Sequence, residues 1–458
     1  MCRKIDMRLM PMLFVTYMLN FMDKQALSYS ANFGLKEDNH LTGNQYSWAS
    51  GSIFYLAYMV AQPVISRSLQ KFPIGRFVSI MVMTWGILLM CTAASRSFGT
   101  LMAVRFLLGT VESCINPAFV VITSQWYTRD EQPARVSYWF VGNAIGQILG
   151  GVIGYGVGHI EYKDLGAWIW YFIIFGAVTF CYSIVLFVFL PDNPMNARWL
   201  SEKEKEIAVL RVLQNRTGFV NHKWKWNQFF EALFDPQTFI LFALALLNTI
   251  PAGGISSYGS IVIKGFGFSS LNTTLLNVPQ GAIQLVSLVS SGWFTSHFKN
   301  TRCWVMALSQ IPGLIGSVLL YVLPDSNRTG KLISYYVLST HSVSFSLLMV
   351  MLGSNYAGFT KKSTAAAIIF MGWCAGQVIA PQLFLESEAP RYPTVFLAQF
   401  ICFVFLTVLP MVLQGYLMWC NWRRDKAHPI VEGESVQHHD GLLDTTDQEQ
   451  KARFRYVY

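Results

Sequence analysis

Charge is what this chain has least of. Only 13% of its 458 residues are Asp, Glu, Lys or Arg, against about 25% in an ordinary water-soluble domain, and whole stretches of more than twenty residues carry none. A soluble surface cannot be built from such a sequence. The eight cysteines stand singly, mostly inside apolar runs, with no CxxC pair and no Cys/His cluster, which argues against a disulfide framework or a zinc site. There is no Walker sequence for nucleotide phosphates and no dinucleotide fingerprint, so no cofactor is indicated. Clustered His or an HxxxH spacing is lacking too, and an enzyme is not expected. The net charge of +9 is the one hint of nucleic acid, yet the basic residues sit in short clusters between apolar runs instead of on one aromatic-laced face. No nucleic acid is expected. The first apolar run holds Asp23 and Lys24 with no small-residue cleavage site after it, which predicts a retained helix, not a signal peptide.

What is abundant is apolar: 53% of the residues, with 34 Phe, 20 Tyr and 14 Trp. A helix crossing the hydrocarbon core needs about 20 such residues. Twelve stretches qualify, at 9–31, 44–66, 75–95, 99–124, 134–158, 167–190, 237–257, 272–296, 303–323, 332–356, 363–386 and 393–420, predicting an all-α membrane protein of twelve transmembrane helices. Connections expected on the inner side hold 19 Lys and Arg, those on the outer side 7, and the segment 423–458 six more. The bias predicts both termini in the cytoplasm.

The long connection Pro191–Pro236 divides the chain. A six-helix bundle is expected over 1–190, a cytoplasmic linker with an amphipathic helix on the membrane face over 191–236, a second six-helix bundle over 237–422, and a disordered cytoplasmic tail over 423–458. His438 and His439 in that tail are too isolated for a metal site. Shifting the chain by 230 residues superimposes Gly142-Asn-Ala-Ile-Gly146-Gln147 on Gly372-Trp-Cys-Ala-Gly376-Gln377, and brings every span of one half onto a span of the other within a few residues. Two parallel six-helix repeats joined by a long inner loop are the plan of the major facilitator fold, in which two halves rock about a central site. Glycines at 142, 146, 150, 154 and 158 form a small-residue face for close helix packing.

Four ionisable groups lie well inside the spans: Asp23 and Lys24 in the first, Arg105 and Glu112 in the fourth. An ionised side chain at the centre of a bilayer costs about 2.5–3.5 kcal/mol on insertion scales, so these four need a reason. Arg105 and Glu112 are two helical turns apart on one face. Two readings are open. They are structural ion pairs joining spans one and four, or they hold an anion on the bases while a carboxyl takes and releases a proton. His341, Gln147, Tyr258 and Asn355, with Asn20, Asn248, Gln284 and Gln377, are polar groups in apolar surroundings, either interhelical glue or the neutral lining of a substrate cavity. Pro251-Ala-Gly-Gly254 predicts a mid-membrane break or a simple kink in span seven.

Over 3–426 the chain resembles the fungal allantoate/nicotinate permease branch of the anion:cation symporter family, within the major facilitator superfamily. The segments that carry the resemblance are Arg3-Lys-Ile-Asp6, Leu19-Asn-Phe-Met-Asp23-Lys24, Gln70-Lys-Phe-Pro-Ile-Gly75, Arg105-Phe-Leu-Leu-Gly109-Thr-Val-Glu112, Trp126-Tyr-Thr-Arg129, Leu190-Pro-Asp-Asn-Pro194, Trp226-Asn-Gln-Phe-Phe-Glu231, Gly265-Phe-Gly-Phe268 and Ser354-Asn355 through Lys361-Lys362-Ser. The resemblance implies proton coupling at Asp23 and Glu112, anion binding at Lys24 and Arg105, and a substrate hydrogen bond from Asn355. Lys24 stands where Arg is common in the family, and Phe21 where Tyr is. The function so implied is proton-coupled uptake of a small organic anion (a carboxylate, ureide or vitamin-like compound) by a monomer in the plasma membrane, with the proton gradient as energy source. A metabolite exporter, or a nutrient receptor without flux, on the same fold is the alternative.

Overall fold

The computed structural model describes residues 2–42, 44–128, 131–160, 166–213, 224–324, 326–389, 391–427, 444–452 and 454–458. Among them are twelve long helical stretches in the expected order. Span one is Cys2–Ser30, two 45–71, three Ile74–Thr92, four Phe98–Trp126, five 132–157 and six Ala167–Phe189. Seven is Pro236–Gly265, eight 270–297, nine Arg302–Val322, ten Arg328–Asn355, eleven Phe359–Gln382 and twelve Pro393–Ala427. Nine are long and apolar enough to cross a membrane by themselves. Spans one, two and eight each make hydrogen bonds to the opposite half, through Ser28, Ser47 and Gln280.

The internal repeat is visible as packing. A Cβ added at Gly142 or Gly146 would lie 2.8 or 2.7 Å from the carbonyl oxygens of Phe14 and Met18. One added at Gly372 or Gly376 would lie 2.8 or 2.5 Å from those of Phe242 and Leu246. Span five thus lies on span one as span eleven lies on span seven, with backbones meeting where only glycine fits. The closest approach is elsewhere: a Cβ at Gly109 would sit 2.1 Å from the Phe54 carbonyl oxygen. Gly109→Ala is therefore expected to push span four off span two and lower stability by about 1–3 kcal/mol or more. Gly99, whose Cβ would meet nothing within 4 Å, is the control. Thermal unfolding of the two purified variants should show a lower midpoint for Gly109→Ala only.

Several expectations are corrected. Pro251 does not break span seven, which is one helix of 30 residues with Gly253 and Gly254 set against Gln377 and Phe384. The helix Glu202–Leu213 is tied to the first half, because Arg211 reaches both Glu131 oxygens at 2.6 and 2.7 Å and Glu204 meets Lys4 at 2.7 Å. The linker helix that presents aromatic residues outward is a second one, Trp226–Phe234, with Trp226, Phe230 and Phe234 exposed. The tail is not disordered throughout: 444–452 and 454–458 are folded against the linker-side ends of the second half, where Asp447 and Tyr456 are buried. His438 and His439 lie outside the described residues.

The two halves meet on the side away from the linker. There Tyr46 donates to the Ser257 carbonyl at 2.9 Å, the Ser47 and Tyr258 hydroxyls lie 2.6 Å apart, and Tyr258 stacks on Phe384 with ring centroids 4.1 Å apart. On the linker side the halves part around a cavity of about 1890 Å³, walled by Phe72, Val121 and Tyr138 from the first half and Leu347, Lys362 and Phe370 from the second. The molecule is closed on the side away from the linker and open on the linker side.

Candidate functional site

Spans one, three and four bring the in-membrane charges together. Asn20, one helical turn before Lys24, links them: its Nδ2 donates to Glu112 Oε2 at 2.5 Å and its Oδ1 accepts from Lys24 Nζ at 2.7 Å. Lys24 Nζ is itself 3.9 Å from Glu112 Oε2. Asp23 points to the other side of span one, as adjacent helical residues must, and accepts from Trp85 Nε1 at 2.7 Å. Its carboxyl also faces that of Glu112. Arg105 lies within electrostatic reach of both acids, with its guanidinium 5.6 Å from the Phe172 ring centroid. Asp23, Arg105 and Glu112 are all at most 3% exposed, whereas the Lys24 side chain is 17% exposed. Lys24 is the member of the set that water reaches.

The hydrogen bonds of the cluster are not all closed. Arg105 Nε and Nη2, Asp23 Oδ1 and Glu112 Oε1 are buried without a hydrogen-bond partner, although leaving such charged groups unsatisfied is expensive. Donors on a cation and acceptors on two acids are thus left over within one buried cluster.

Aromatic rings lie between the cluster and the linker-side cavity. Phe370, on the cavity wall, lies 6.5 Å from Trp373, and the Trp373 ring centroid is 6.0 Å from Lys24 Nζ. Tyr55 and Tyr58 of span two meet Trp373 edge-on at 5.2 and 5.5 Å, so the layer is built from both halves. The charges thus sit behind a thin aromatic floor, not in the open cavity.

Four other expected site residues are placed elsewhere. Tyr258 belongs to the seal between the halves on the side away from the linker. Gln147 donates to Gln280 Oε1 at 2.6 Å, joining spans five and eight. His341 Nδ1 lies 2.8 Å from the Leu338 carbonyl of its own helix. Asn355 is at the linker-side end of span ten, where Nδ2 donates to the Val457 carbonyl at 2.8 Å and Oδ1 accepts from Val457 N at 2.9 Å. Neutral polar groups pair with whatever neighbour the packing supplies. Their types alone do not distinguish lining from glue. Trp85 went unread in the sequence, because nothing marks a tryptophan in an apolar span as the partner of a buried acid.

The sequence pattern of the Major Facilitator Superfamily matches residues 13–381, and the chain belongs to that family. It is 37% identical over 455 residues to an uncharacterized transporter of Schizosaccharomyces pombe, covering 99% of this chain and 86% of the relative. It is 34% identical to the allantoate permease of Saccharomyces cerevisiae (92% of this chain, 80% of the relative), and 33% identical to the thiamine pathway transporter of the same yeast (100% and 86%). Among solved structures, a proton:xylose symporter of the superfamily shares the fold with a TM-score of 0.72 over 91% of this chain and 96% of that chain, at 11% identity. The protein is therefore a membrane transporter of the major facilitator fold, with fungal carriers as relatives, and not an enzyme.

Proposed function

We propose that this transporter moves a small monovalent organic anion inward together with one proton, by alternating access across the plasma membrane, as a monomer with both termini in the cytoplasm. The observation that carries the reading is the convergence of two bases and two acids in one buried cluster. With all four ionised the set is neutral. An anion alone would leave a net negative charge in a low-dielectric site, and a proton alone a net positive one, both costly. Anion and proton together restore neutrality, so each favours the other. Asp23 and Glu112, facing one another, share the proton. Lys24 and Arg105 hold the carboxylate. The proton gradient supplies the energy and no cofactor takes part.

Two features agree with a negatively charged cargo. The inner cavity is lined by Arg76, Lys299, Arg302, Lys362 and Arg455, against Asp192 as the acid among its described lining residues, a field that concentrates anions. A permease named for allantoate is among the relatives, which fits a carboxylate or ureide.

Uptake of candidate carboxylates into proteoliposomes is the test. Acidifying the outside is expected to raise accumulation about ten-fold per pH unit of gradient, the free energy of one proton, with no response to an imposed membrane potential. Transport indifferent to external pH would overturn the reading.

A further inference from the structure

The inner end of the second half carries a charge cluster that the transport reading does not use. Lys361, fully buried at the start of span eleven, places Nζ 2.7 Å from Asp447 Oδ1, 2.9 Å from Glu231 Oε1 and 3.0 Å from Asp235 Oδ2. Two of these acids come from the end of the linker and the entry to span seven. The third comes from the C-terminal segment. Asp447 also accepts from the Tyr456 hydroxyl. The Arg424 guanidinium, near the end of span twelve, donates to that hydroxyl oxygen at 2.7 Å and to the Phe454 carbonyl at 3.0 Å, and lies 4.2 Å from the Tyr456 ring centroid. Asn355 pairs with both backbone groups of Val457, as a neighbouring strand would. Burying two ionised side chains this fully is favourable only when every partner is in place. The segment is seated as a fitted part.

Its position matters for the transport cycle. Each of these anchors belongs to the second half or to the linker beside it, so the segment travels with that half. Phe454, Arg455 and Val457 form part of the inner cavity wall, across from Phe72 and Arg76 of the first half. For the outer side to open, the inner ends of the halves must come together around that cavity. Residues 454–458 lie where they would meet.

We propose that residues 444–458 are an intramolecular wedge that holds the transporter open to the inside: docked, the segment obstructs closure of the inner cavity, and undocked, it lets the outer side open. The inference rests on alternation between the two halves and not on the anion and proton reading, and its test needs neither substrate nor gradient.

Ser257 lies in the outer seal, where its Oγ would be 3.4 Å from a Cβ at Gly51 across the interface. In a Ser257→Cys chain, labelling by a membrane-impermeant maleimide reports the outward-open fraction, with the parent chain as background. A minor conformer usually makes up about 0.1–10% of a two-state protein, so removal of 444–458 has room to raise the labelling rate about ten-fold. Tyr456→Phe and Asn355→Ala, which weaken the seat without deleting it, should give smaller rises in the same direction. Unchanged or slower labelling in variants that elute as monodisperse protein would overturn the wedge. If the truncated chain aggregates, the two point variants decide. Substrate uptake that proves indifferent to pH would leave this result untouched.

Discussion

Glu112→Gln should abolish concentrative uptake while leaving exchange of anion across the membrane in place. The amide keeps an oxygen to accept from Asn20 Nδ2, now at 2.5 Å from Glu112 Oε2, so the local packing survives. The charge does not: Lys24, Arg105 and Asp23 alone sum to +1, the state that in the native chain exists only with a proton bound. The variant is permanently in the anion-accepting form. Uptake driven by a one-unit pH gradient, which sustains about a ten-fold anion gradient in the native protein, should fall to simple equilibration, and the pH dependence of the flux should flatten. Counterflow in proteoliposomes separates this from loss of folding, since an uncoupled carrier still exchanges labelled for unlabelled substrate. Coupling that persists in Glu112→Gln would assign the proton to another group.

The second large effect is expected at Lys24. Its side chain is the one in the cluster that water reaches, and it stands next to Trp373 of the opposite half, so an anion arriving through the aromatic layer meets it first. Lys24→Ala removes one of two cations, and a protonated cluster would then be neutral without cargo. Losing a charge-assisted hydrogen bond of about 1.5–3 kcal/mol should weaken apparent affinity by about 10- to 100-fold, with every 1.4 kcal/mol a factor of ten. Lys24→Arg keeps the charge and should stay within a few-fold of the parent. Concentration dependence of initial uptake rates measures both. A Lys24→Ala chain with unaltered affinity would reduce the residue to a partner of Asn20.

These effects follow from residues whose importance was legible early because lipid makes charge conspicuous. A side chain such as Glu112 in the middle of span four stands out without any coordinates, since no packing preference explains an acid there. The neutral polar residues carry no such mark. Gln147, Tyr258, His341 and Asn355 looked alike as sequence, and their partners proved to be a glutamine of the other half, a serine of the outer seal, a carbonyl in the same helix and the backbone of the C-terminal segment. Three of these bonds link groups far apart in the chain, and the fourth is local. The polar tail misled for a related reason. Low hydrophobicity in 423–458 reads as disorder when the segment is taken alone, but Asp447 and Tyr456 are completed by Lys361 and Arg424, which lie far from them in the chain.

The count of spans and their order were written in the succession of apolar runs, because the bilayer imposes one length scale on any helix that crosses it. Which half-to-half contacts are made, that the molecule stands open on its linker side, and that Trp85, Asn20 and the four charges form one cluster depended on how the helices pack in three dimensions. Such contacts join positions tens to hundreds of residues apart, and no local pattern encodes them.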